Sequence, residues 1–389
     1  MATLNSILYI SSGKLPSKWA HSVQMAKMAQ AFSEKVEKFE LVTSGDIWSY
    51  LTGKNFNLKD WYGLHHEFKV VRLPMHLKLT YPFSREYFSN RNFNRLAAVY
   101  AFLKSPSLVY TRYPGMALLL LRFNLPVVVE MHNPIEKNSC LVKKLLFNKN
   151  FLGVVALSQE MANSFVNKGM PSKKVLTEYN AVDLQRFFPY QTKDSARETV
   201  ALPKNKPIAV YAGHLYDYKG IPTVLDLARV TPECDFALVG GWSDDVERVK
   251  ETCKQMGLRN VHVIGHVSQP QLPSYLYAAD LLLLPTSKQW ETSEVTSPLN
   301  LKLFEYMASQ RPIVASALPN IVTMLQHETN ALLAEPDNSV SFKEAVERLL
   351  KNPSLGDAIA EHAFQDVQNY TWENRAARII QFATDRLAS

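Results

Sequence analysis

The chain has 389 residues, 47% of them hydrophobic and 20% charged, which predicts a globular protein with a substantial core and, at this length, two domains. No apolar run approaches the roughly 18–20 residues that cross a bilayer, and the first run, residues 7–10, is too short for the core of a signal peptide. The three scattered cysteines, Cys140, Cys234 and Cys253, form no metal-binding spacing and suggest a reduced, cytosolic setting.

The net charge of +7 is unevenly distributed along the chain. Residues 1–190 contain 24 basic and 12 acidic side chains, whereas residues 191–389 contain 19 and 24. This asymmetry indicates two domains with different partners. The basic domain could face nucleic acid, an anionic membrane surface or a phosphorylated substrate.

The first half alternates short apolar strands with helices. It opens with a strand, ILYIS, and a helix, WAHSVQMAKMAQAF, whose apolar side chains recur at helical spacing. Further strands are predicted at ELVTS, VVRLP, LVYTR, VVVEMH and VVALS, while MALLLL fits a buried strand or a buried helix. Strands that alternate with helices predict a parallel sheet covered on both faces.

The second half repeats the pattern. Strands are predicted at IAVYAG, DFALVGG, VHVIGHV, DLLLLPT, PIVAS and NALLAE, with helices between them. The polar run 189–207 is the predicted linker, which places one domain at 1–190 and the other at 200–370, followed by a last helix at 371–389. Two such sheets that face one another leave a cleft at the carboxyl ends of their strands, where ligands bind.

One strand-to-helix turn of the second half, YAGHLYDYKG, places Lys219 and Gly220 at the start of a helix. Free backbone N–H groups and the helix dipole attract anions there, and a lysine adds a mobile point charge for phosphate. A solvated lysine beside a turn glycine is the simpler interpretation.

A second turn, TSPLNLKLFEYMA, begins a helix near Asn300 and Leu301. Lys302 and Glu305 lie one turn apart on this helix, so the helix N-terminus could bind phosphate while the carboxylate accepts hydrogen bonds from a ribose diol. The simpler alternative is a surface ion pair between Lys302 and Glu305.

The remaining signals are weaker. His132, in EMHN, ends a strand at the carboxyl edge of the first sheet, where it could donate to a substrate hydroxyl or carry a proton, or serve structure alone. Gly13 follows the first strand without a GxGxxG fingerprint, and the chain has no P-loop, HExxH or Asp-x-Asp motif. A dedicated metal site for a nucleotide diphosphate is therefore not expected.

Taken together, these stretches resemble the family 4 glycosyltransferases of the GT-B fold. The resemblance covers nearly the whole chain and is carried, in order, by LPSKWAHSVQMAKMAQAF, VVVEMHN, VVALSQEMANSFVNKG, YNAVDLQRF, YAGHLYDYKG, FALVGGW, VHVIGHVSQPQLPSYLYAADLLLLPT, TSPLNLKLFEYMASQRPIVAS and YTWENRAARI. It implies an α/β fold of two doubly wound Rossmann-like domains that face one another across a cleft, with the C-terminal helix crossing back to the N-terminal domain. The N-terminal domain would bind the acceptor and the C-terminal domain the nucleotide sugar.

The resemblance also implies roles for individual residues. Glu305 matches the second Glu of the family's E-x7-E motif and would hold the ribose hydroxyls, Lys219 would contact the phosphates, and His132 matches the family's cleft histidine near the donor sugar. These three form the expected catalytic group. The other expected donor-binding residues are Gly13, Gly213, His214, Val267, Ser297, Asn300, Leu301 and Lys302.

Within that set, Asn300 and Leu301 would give backbone N–H groups to the diphosphate. The backbone near Val267 would meet the nucleobase, and Gly13 would let the first loop approach the donor phosphate.

Two residues depart from the family pattern. Ser297 replaces the first Glu of E-x7-E, and His214 stands where many members have the arginine of a GRL turn. Phosphate binding would then depend more on Lys219 and Lys302.

The activity implied is a retaining, metal-independent glycosyltransferase without a cofactor. It would transfer a hexosyl or N-acetylhexosaminyl unit from a nucleotide diphosphate sugar, with UDP favoured, to a glycan or lipid-linked acceptor in cell-surface polysaccharide, lipopolysaccharide or glycolipid synthesis. The basic first half suggests a cytoplasmic protein that is peripheral on the inner face of the membrane, and no nucleic-acid module is present. The alternatives are a nucleotide-sugar 2-epimerase of the same fold and a non-catalytic nucleotide-sugar-binding subunit.

Overall fold

The computed structural model describes residues 4–45, 57–74, 85–133, 140–290 and 299–388, with residues 85–91 and Trp290 described by their backbone alone. The chain divides into two compact units. The first comprises Met1–Asn180 and Trp372–Ser389, and the second comprises Ala181–Thr371. The change from one unit to the other therefore comes before the run 189–207, not within it.

The described part of the first unit contains one parallel sheet of seven strands. The strands are β1 (Ser6–Lys14), β2 (Lys38–Gly45), β3 (Val70–Pro74), β4 (Leu108–Thr111), β5 (Val127–Met131), β6 (Phe151–Ala156) and β7 (Val175–Thr177). Their order across the sheet is β3-β2-β1-β4-β5-β6-β7. The helices of this segment are α1 (Ala20–Ser33), α2 (Leu58–Tyr62), α3 (Arg85–Lys104), α4 (Pro114–Leu121), α5 (Leu141–Leu146) and α6 (Gln159–Asn167).

The described part of the second unit contains a parallel sheet of six strands. The strands are β8 (Ile208–Ala212), β9 (Asp235–Val239), β10 (Val261–Gly265), β11 (Leu281–Leu284), β12 (Ile313–Ser316) and β13 (Leu332–Ala334). Their order is β10-β9-β8-β11-β12-β13. The helices are α7 (Lys193–Thr199), α8 (Ile221–Val230), α9 (Ser243–Gln255), α10 (Leu272–Tyr277), α11 (Leu301–Ala308), α12 (Ser339–Lys351) and α13 (Pro353–Val367).

Burial explains why the strands could be read from continuous apolar runs. Every residue of β5, β8, β9, β11 and β12 is buried, as expected for parallel strands that are covered on both faces. The predicted α/β class with two doubly wound sheets is confirmed. Within the described ranges, no helix combines the length and the apolarity that a bilayer crossing requires.

Each sheet has a point where the strand order reverses. In the first sheet it lies between β1 and β4, and in the second between β8 and β11. Successive crossovers leave these two neighbouring strands in opposite directions, so a crevice opens at their carboxyl ends, where ligands of such sheets bind.

The last helix, α14 (Trp372–Leu387), belongs to the first unit, as the predicted crossing helix requires, and it packs against α1 and β6. It carries Arg375, which is 1% exposed and donates to the Glu130 carboxylate at 2.7 Å and to the Tyr179 carbonyl oxygen at 3.0 Å. Burial by itself would raise the pKa of Glu130, but Arg375 and His132 hold it well below its usual range. This buried pair fixes α14 against the carboxyl end of β5.

Three local expectations differ from the structure. Gly13 does not follow the first strand but lies within β1, because its carbonyl oxygen accepts a hydrogen bond from Thr43 and the pairing with β2 continues to Lys14. The run MALLLL is helical, in α4, which begins at Pro114. The expected linker 189–207 contains α7 and folds with the second unit, where Arg197 binds the Ala278 carbonyl oxygen.

Removing the buried guanidinium should test how far the first unit depends on α14. Arg375→Met leaves the Glu130 carboxylate without its main partner, so we expect the free energy of unfolding to fall by about 3–5 kcal/mol. Urea unfolding followed by circular dichroism measures the change. The double variant Arg375→Met/Glu130→Gln should lose less than Arg375→Met alone, since the uncompensated charge is gone. Equal losses in the two variants would show that packing, not charge, determines the effect.

Candidate functional site

The strand ends of the second sheet form a row of glycines at the carboxyl edge. The Gly213 N–H donates to the Val239 carbonyl oxygen at 2.8 Å, and the Gly240 N–H donates to the Gly265 carbonyl oxygen at 2.7 Å. Gly240 has a φ of +118°, and a side chain there would collide with the backbone of Gly213. Close approach of the ends of β8, β9 and β10 therefore requires glycine and leaves backbone rather than side chains at this edge.

The turn after β8 closes onto the end of β11, the other strand of the switch point. Gly220 has a φ of +86°, and a side chain there would collide with the carbonyl oxygen of Pro285. The Ser287 N–H also donates to the Tyr218 carbonyl oxygen at 3.2 Å. The turn that carries Lys219 is thus held against the crevice between β8 and β11.

Two lysine side chains are buried at this position. Lys219, in the turn, and Lys302, on the first turn of α11, are each 8% exposed. The Lys302 Nζ atom lies 4.1 Å from the ring centroid of Tyr211, against Gly213, and has no hydrogen-bond partner among the described residues. Lys219 Nζ and Asn300 Oδ1 are 3.5 Å apart. Two buried lysine side chains therefore lie close to one another at this site.

Burial depresses the basicity of both lysines. It lowers the pKa of Lys219 to about 8. It also holds the pKa of Lys302 well below its ordinary value, with repulsion from Lys219 acting in the same direction. A bound anion would reverse both shifts, because opposite charge nearby favours the protonated form.

The N-terminus of α11 adds backbone donors to the two lysines. Asn300 is the N-cap residue, but its side chain does not cap the helix, and Leu301 begins the first turn. Uncapped N–H groups and the positive end of the helix dipole favour a negatively charged ligand. The predicted Ser297 lies outside the described residues.

Two buried hydroxyl groups lie at the carboxyl ends of the neighbouring strands. Thr286 follows β11 and Ser316 ends β12, and both side chains are at most 1% exposed. Among the described residues, neither hydroxyl oxygen has a hydrogen-bond partner. Buried polar groups are normally satisfied, so both hydroxyl groups are available to a ligand or a water molecule at this edge.

Glu305 is held by a residue that the sequence did not indicate. Arg186 donates to the Glu305 carboxylate at 3.0 Å and to the Gln269 carbonyl oxygen at 2.6 Å. The alternative of an ion pair between Lys302 and Glu305 is therefore wrong. Arg186 is 119 positions from Glu305, and no motif or periodicity linked the two.

The same arginine ties Glu305 to the loop after β10, where the nucleobase contact was expected. Val267 lies half-buried in that loop, two residues before Gln269. His214 stacks on Tyr216 with ring centroids 5.1 Å apart and on Trp242 at 5.7 Å. Burial, with the charges of the two lysines, lowers the pKa of His214, so it adds no full positive charge to the lysine pair at neutral pH.

His132 lies in the first unit, at the end of β5, and both of its ring nitrogens are engaged. Its Nε2 is 2.5 Å from a Glu130 oxygen, and Arg112 approaches Nδ1 at 3.0 Å. The Arg112 Nε also lies 2.8 Å from Nε2, which can donate to Glu130 or accept from Arg112 but not both. With its proton on Nε2, the ring donates to Glu130 and its Nδ1 accepts from Arg112. Burial lowers the pKa of His132 in spite of the neighbouring carboxylate, so the imidazole is held neutral and fixed in orientation.

Gly13 belongs to the same region of the first unit. A Cβ atom there would make ordinary van der Waals contacts with Met25 at 3.4 Å and His21 at 3.8 Å, which places the end of β1 beside the start of α1. The Arg112 guanidinium also donates to the His21 carbonyl oxygen at 2.9 Å. The end of β1, the start of α1 and the ends of β4 and β5 are thus linked around the switch point of the first sheet. Neither Arg112 nor Arg375 was anticipated from the sequence.

A protein-family model gives an independent view of the second unit. The model described as glycosyl transferases group 1 matches residues 192–366. This range lies inside the second unit and includes Lys219, Lys302 and Glu305. Arg186 lies just before it.

Curated relatives are distant and match part of the chain. The uncharacterised glycosyltransferase MJ1607 of Methanocaldococcus jannaschii is 24% identical over 58% of this chain and 57% of its own length. A D-inositol 3-phosphate glycosyltransferase of Nocardioides is 23% identical over 55% of this chain and 51% of its own length. The chain thus spans little more than half of these relatives.

Solved structures match over nearly the full length. The crystal structure of HepE from Anabaena, in complex with UDP and glucose, covers 98% of this chain and 100% of its own at 16% identity, with a TM-score of 0.71. At that identity the likeness establishes the fold, and the chain has the GT-B fold.

The stability of the protein is expected to rise with pH above neutrality. In the unfolded chain both lysines titrate near ~10.4, far above their values in the fold. Between the two pKa values the unfolded chain binds more protons, so the free energy of unfolding increases by up to about 1.4 kcal/mol per pH unit for each lysine. Urea unfolding at a series of mildly alkaline pH values measures the slope.

Lys219→Met and Lys302→Met should each remove part of this rise. Lys254, which is exposed on α9, provides the control, and Lys254→Met should leave the slope unchanged. Wild-type and Lys302→Met profiles that run parallel would show that Lys302 is protonated normally in the fold.

Proposed function

We propose that this chain, a GT-B protein whose residues 192–366 match the group 1 glycosyl transferases, is a retaining glycosyltransferase of the family 4 type that uses a nucleotide diphosphate sugar. The observation that carries the proposal is the pair of buried lysines at the switch point of the second sheet, beside the N-terminus of α11. The matched segment contains this site.

The diphosphate of the donor would bind between the turn after β8 and the start of α11. Lys219 and Lys302 supply two cations, and Asn300 and Leu301 supply the N–H groups of an uncapped helix start. Among the described residues, the Lys302 Nζ atom has no hydrogen-bond partner. Gly213 keeps the neighbouring strand end open to a close approach.

The nucleoside would lie alongside, with Glu305 accepting hydrogen bonds from the ribose diol and the backbone near Val267 meeting the base. Arg186 contributes by holding Glu305 and the Gln269 carbonyl oxygen together, so that ribose and base contacts keep a fixed spacing. HepE, which has the same fold, was crystallised with UDP and glucose, and we propose a UDP-sugar as the donor here.

The chemistry requires that negative charge on the departing diphosphate be neutralised in the transition state. Preorganised N–H groups and two ammonium groups can provide this in a site that is shielded from water. We propose that they do so without a metal ion. Attack of the acceptor on the same face from which the nucleotide leaves would then give retention.

The acceptor would bind to the basic first unit. His132 is held by Glu130 and Arg112, and we propose that a sugar hydroxyl binds its ring by replacing one of the Arg112 contacts. One relative is named a D-inositol 3-phosphate glycosyltransferase, and the excess positive charge of the first unit would favour a phosphorylated acceptor here. We propose a glycan or lipid-linked acceptor in cell-surface polysaccharide or glycolipid synthesis, with the protein at the cytoplasmic face of the membrane.

Nucleotide binding is the first test of the proposal. UDP, GDP, ADP and their common sugar conjugates are titrated without added metal while the melting temperature is recorded. We expect UDP and a UDP-sugar to stabilise the protein, and Glu305→Gln to weaken UDP binding by roughly tenfold or more, because the amide keeps only one acceptor oxygen and carries no charge to strengthen its hydrogen bonds.

Glu361→Gln, at an exposed glutamate of α13, is the matched control and should bind UDP like the wild type. An unchanged affinity of Glu305→Gln for UDP would contradict the assignment of Glu305 as the ribose contact. Epimerisation of the sugar of a UDP-sugar in the absence of an acceptor would instead favour the 2-epimerase. Tight binding of a UDP-sugar without any turnover would favour the non-catalytic subunit.

Arg186 should act on donor binding through Glu305. Arg186→Met is expected to raise the KM for the donor by about tenfold with a smaller effect on kcat, and Arg186→Lys should recover part of the loss. The control is Arg197→Met, because Arg197 is similarly buried in the second unit and binds Asp280 at 2.5 Å. If Arg197→Met changed KM as much as Arg186→Met, the effect of Arg186 would be one of stability alone.

A further inference from the structure

The C-terminal half of α3 exposes a stripe of large apolar side chains. Leu96, Val99, Phe102 and Leu103 recur at helical spacing on one side of the helix, and Leu103 is 75% exposed. A helix of a soluble protein normally turns such a stripe toward a core. The core side of α3 is occupied by other residues, among them Phe93, Ala97 and Ala101, so the exposed stripe is a second apolar face.

The stripe continues onto the neighbouring elements of the first unit. The rings of Phe102 and Phe123 lie 5.4 Å apart, and Phe123 follows α4. The Asn148 side chain donates to the Leu121 carbonyl oxygen at 2.7 Å, which places the end of α5 beside the end of α4. Phe147, at that end, is 95% exposed. We call these apolar residues and the basic residues around them the α3–α5 surface.

The charged residues of the α3–α5 surface are basic. They are Arg95, Arg122, Lys143, Lys144 and Lys149, all exposed. Residues 87–129 and 137–159 contain no acidic residue. Lys104, at the end of α3, is already paired with Glu40 at 3.4 Å and marks the edge of the surface.

We propose that the α3–α5 surface docks the protein onto an anionic lipid bilayer. Protruding Phe147 and Leu103 side chains can enter the boundary between headgroups and acyl chains, while the basic residues face anionic headgroups. A second copy of the chain fits less well, because a twofold contact would bring two cationic faces together. The idea that membrane docking brings the protein to a lipid-linked acceptor rests on the proposed function. The binding of lipid by the α3–α5 surface does not depend on that function.

The charge and the apolar area of the α3–α5 surface should contribute separately to its affinity for vesicles. Each basic residue near an anionic surface strengthens partitioning roughly fivefold, and this contribution is screened by salt. Insertion of Phe147 and Leu103 adds a contribution that salt does not remove. The surface should therefore bind anionic vesicles much more tightly than neutral ones. Part of the binding to anionic vesicles should persist at high salt.

The experiment is sedimentation of the full chain with vesicles of phosphatidylcholine alone or mixed with phosphatidylglycerol. We expect strong binding to the mixed vesicles only. Lys144→Glu/Lys149→Glu should weaken it by about 25-fold or more, following the fivefold contribution of each charge. Leu103→Ser/Phe147→Ser should weaken it at low salt and abolish the part that persists at high salt. Melting temperatures verify that the variants are folded.

Matched controls come from the second unit. Lys250→Glu/Lys254→Glu repeats the charge reversal on exposed lysines of α9, and Val340→Ser removes an exposed apolar side chain of α12. Both should bind vesicles like the wild type. Loss of binding in the charge control to the same extent would reduce the effect to net charge and overturn the proposal.

No binding of the wild type to mixed vesicles would also overturn it, as would self-association that is lost in Leu103→Ser/Phe147→Ser, which would assign the surface to a second copy. UDP affinity, measured on the same samples, keeps the two proposals apart. Loss of vesicle binding with unchanged UDP binding would contradict the membrane proposal alone. Loss of UDP binding with unchanged vesicle binding would contradict the proposed function alone.

Discussion

Two buried lysine side chains set the main constraint on the second unit. Lys219 and Lys302 are each 8% exposed. Lys302 lies over the ring of Tyr211, and Lys219 lies over the ring of Tyr218 and near the amide oxygen of Asn300. Burial of Lys302 costs stability, because its Nζ atom has no hydrogen-bond partner among the described residues. The glycines at the strand ends and the turn held against Pro285 keep both lysines at the switch point. The loss of folding stability therefore arises at the edge of the sheet where ligands of doubly wound folds bind.

In the first unit, by contrast, the buried charge of Glu130 has several hydrogen-bond partners. The Glu130 carboxylate meets Arg375, His132, Tyr110 and Gln24, so its charge is fully compensated within the fold. The C-terminal helix supplies the guanidinium, and the sheet supplies the carboxylate. This network is chiefly structural, and its consequence for function is indirect: it fixes the ring of His132 and holds it neutral.

Positions outside the motifs connect the parts of each site. Arg186 joins Glu305 to the loop after β10, and Arg112 joins the ends of β4 and β5 to the start of α1. Both arginines use several donors in a planar group, which makes them suited to hold two elements at a fixed spacing. The α3–α5 surface shows the same dependence on tertiary structure, because its apolar side chains come from α3 and from the segments that follow α4 and α5.

The sequence by itself determined the class of the fold, because strands buried on both faces read as continuous apolar runs and alternate with helices. It also indicated Lys219, Lys302 and Glu305 through their turns and the resemblance that these turns carry. Only the tertiary structure decided which partner each side chain has. Glu305 pairs with Arg186 rather than with Lys302, since periodicity reports neighbours on one helix and not contacts between distant segments. It likewise decided that Lys302 is buried without an acceptor among the described residues, which depends on how α11 packs against β8.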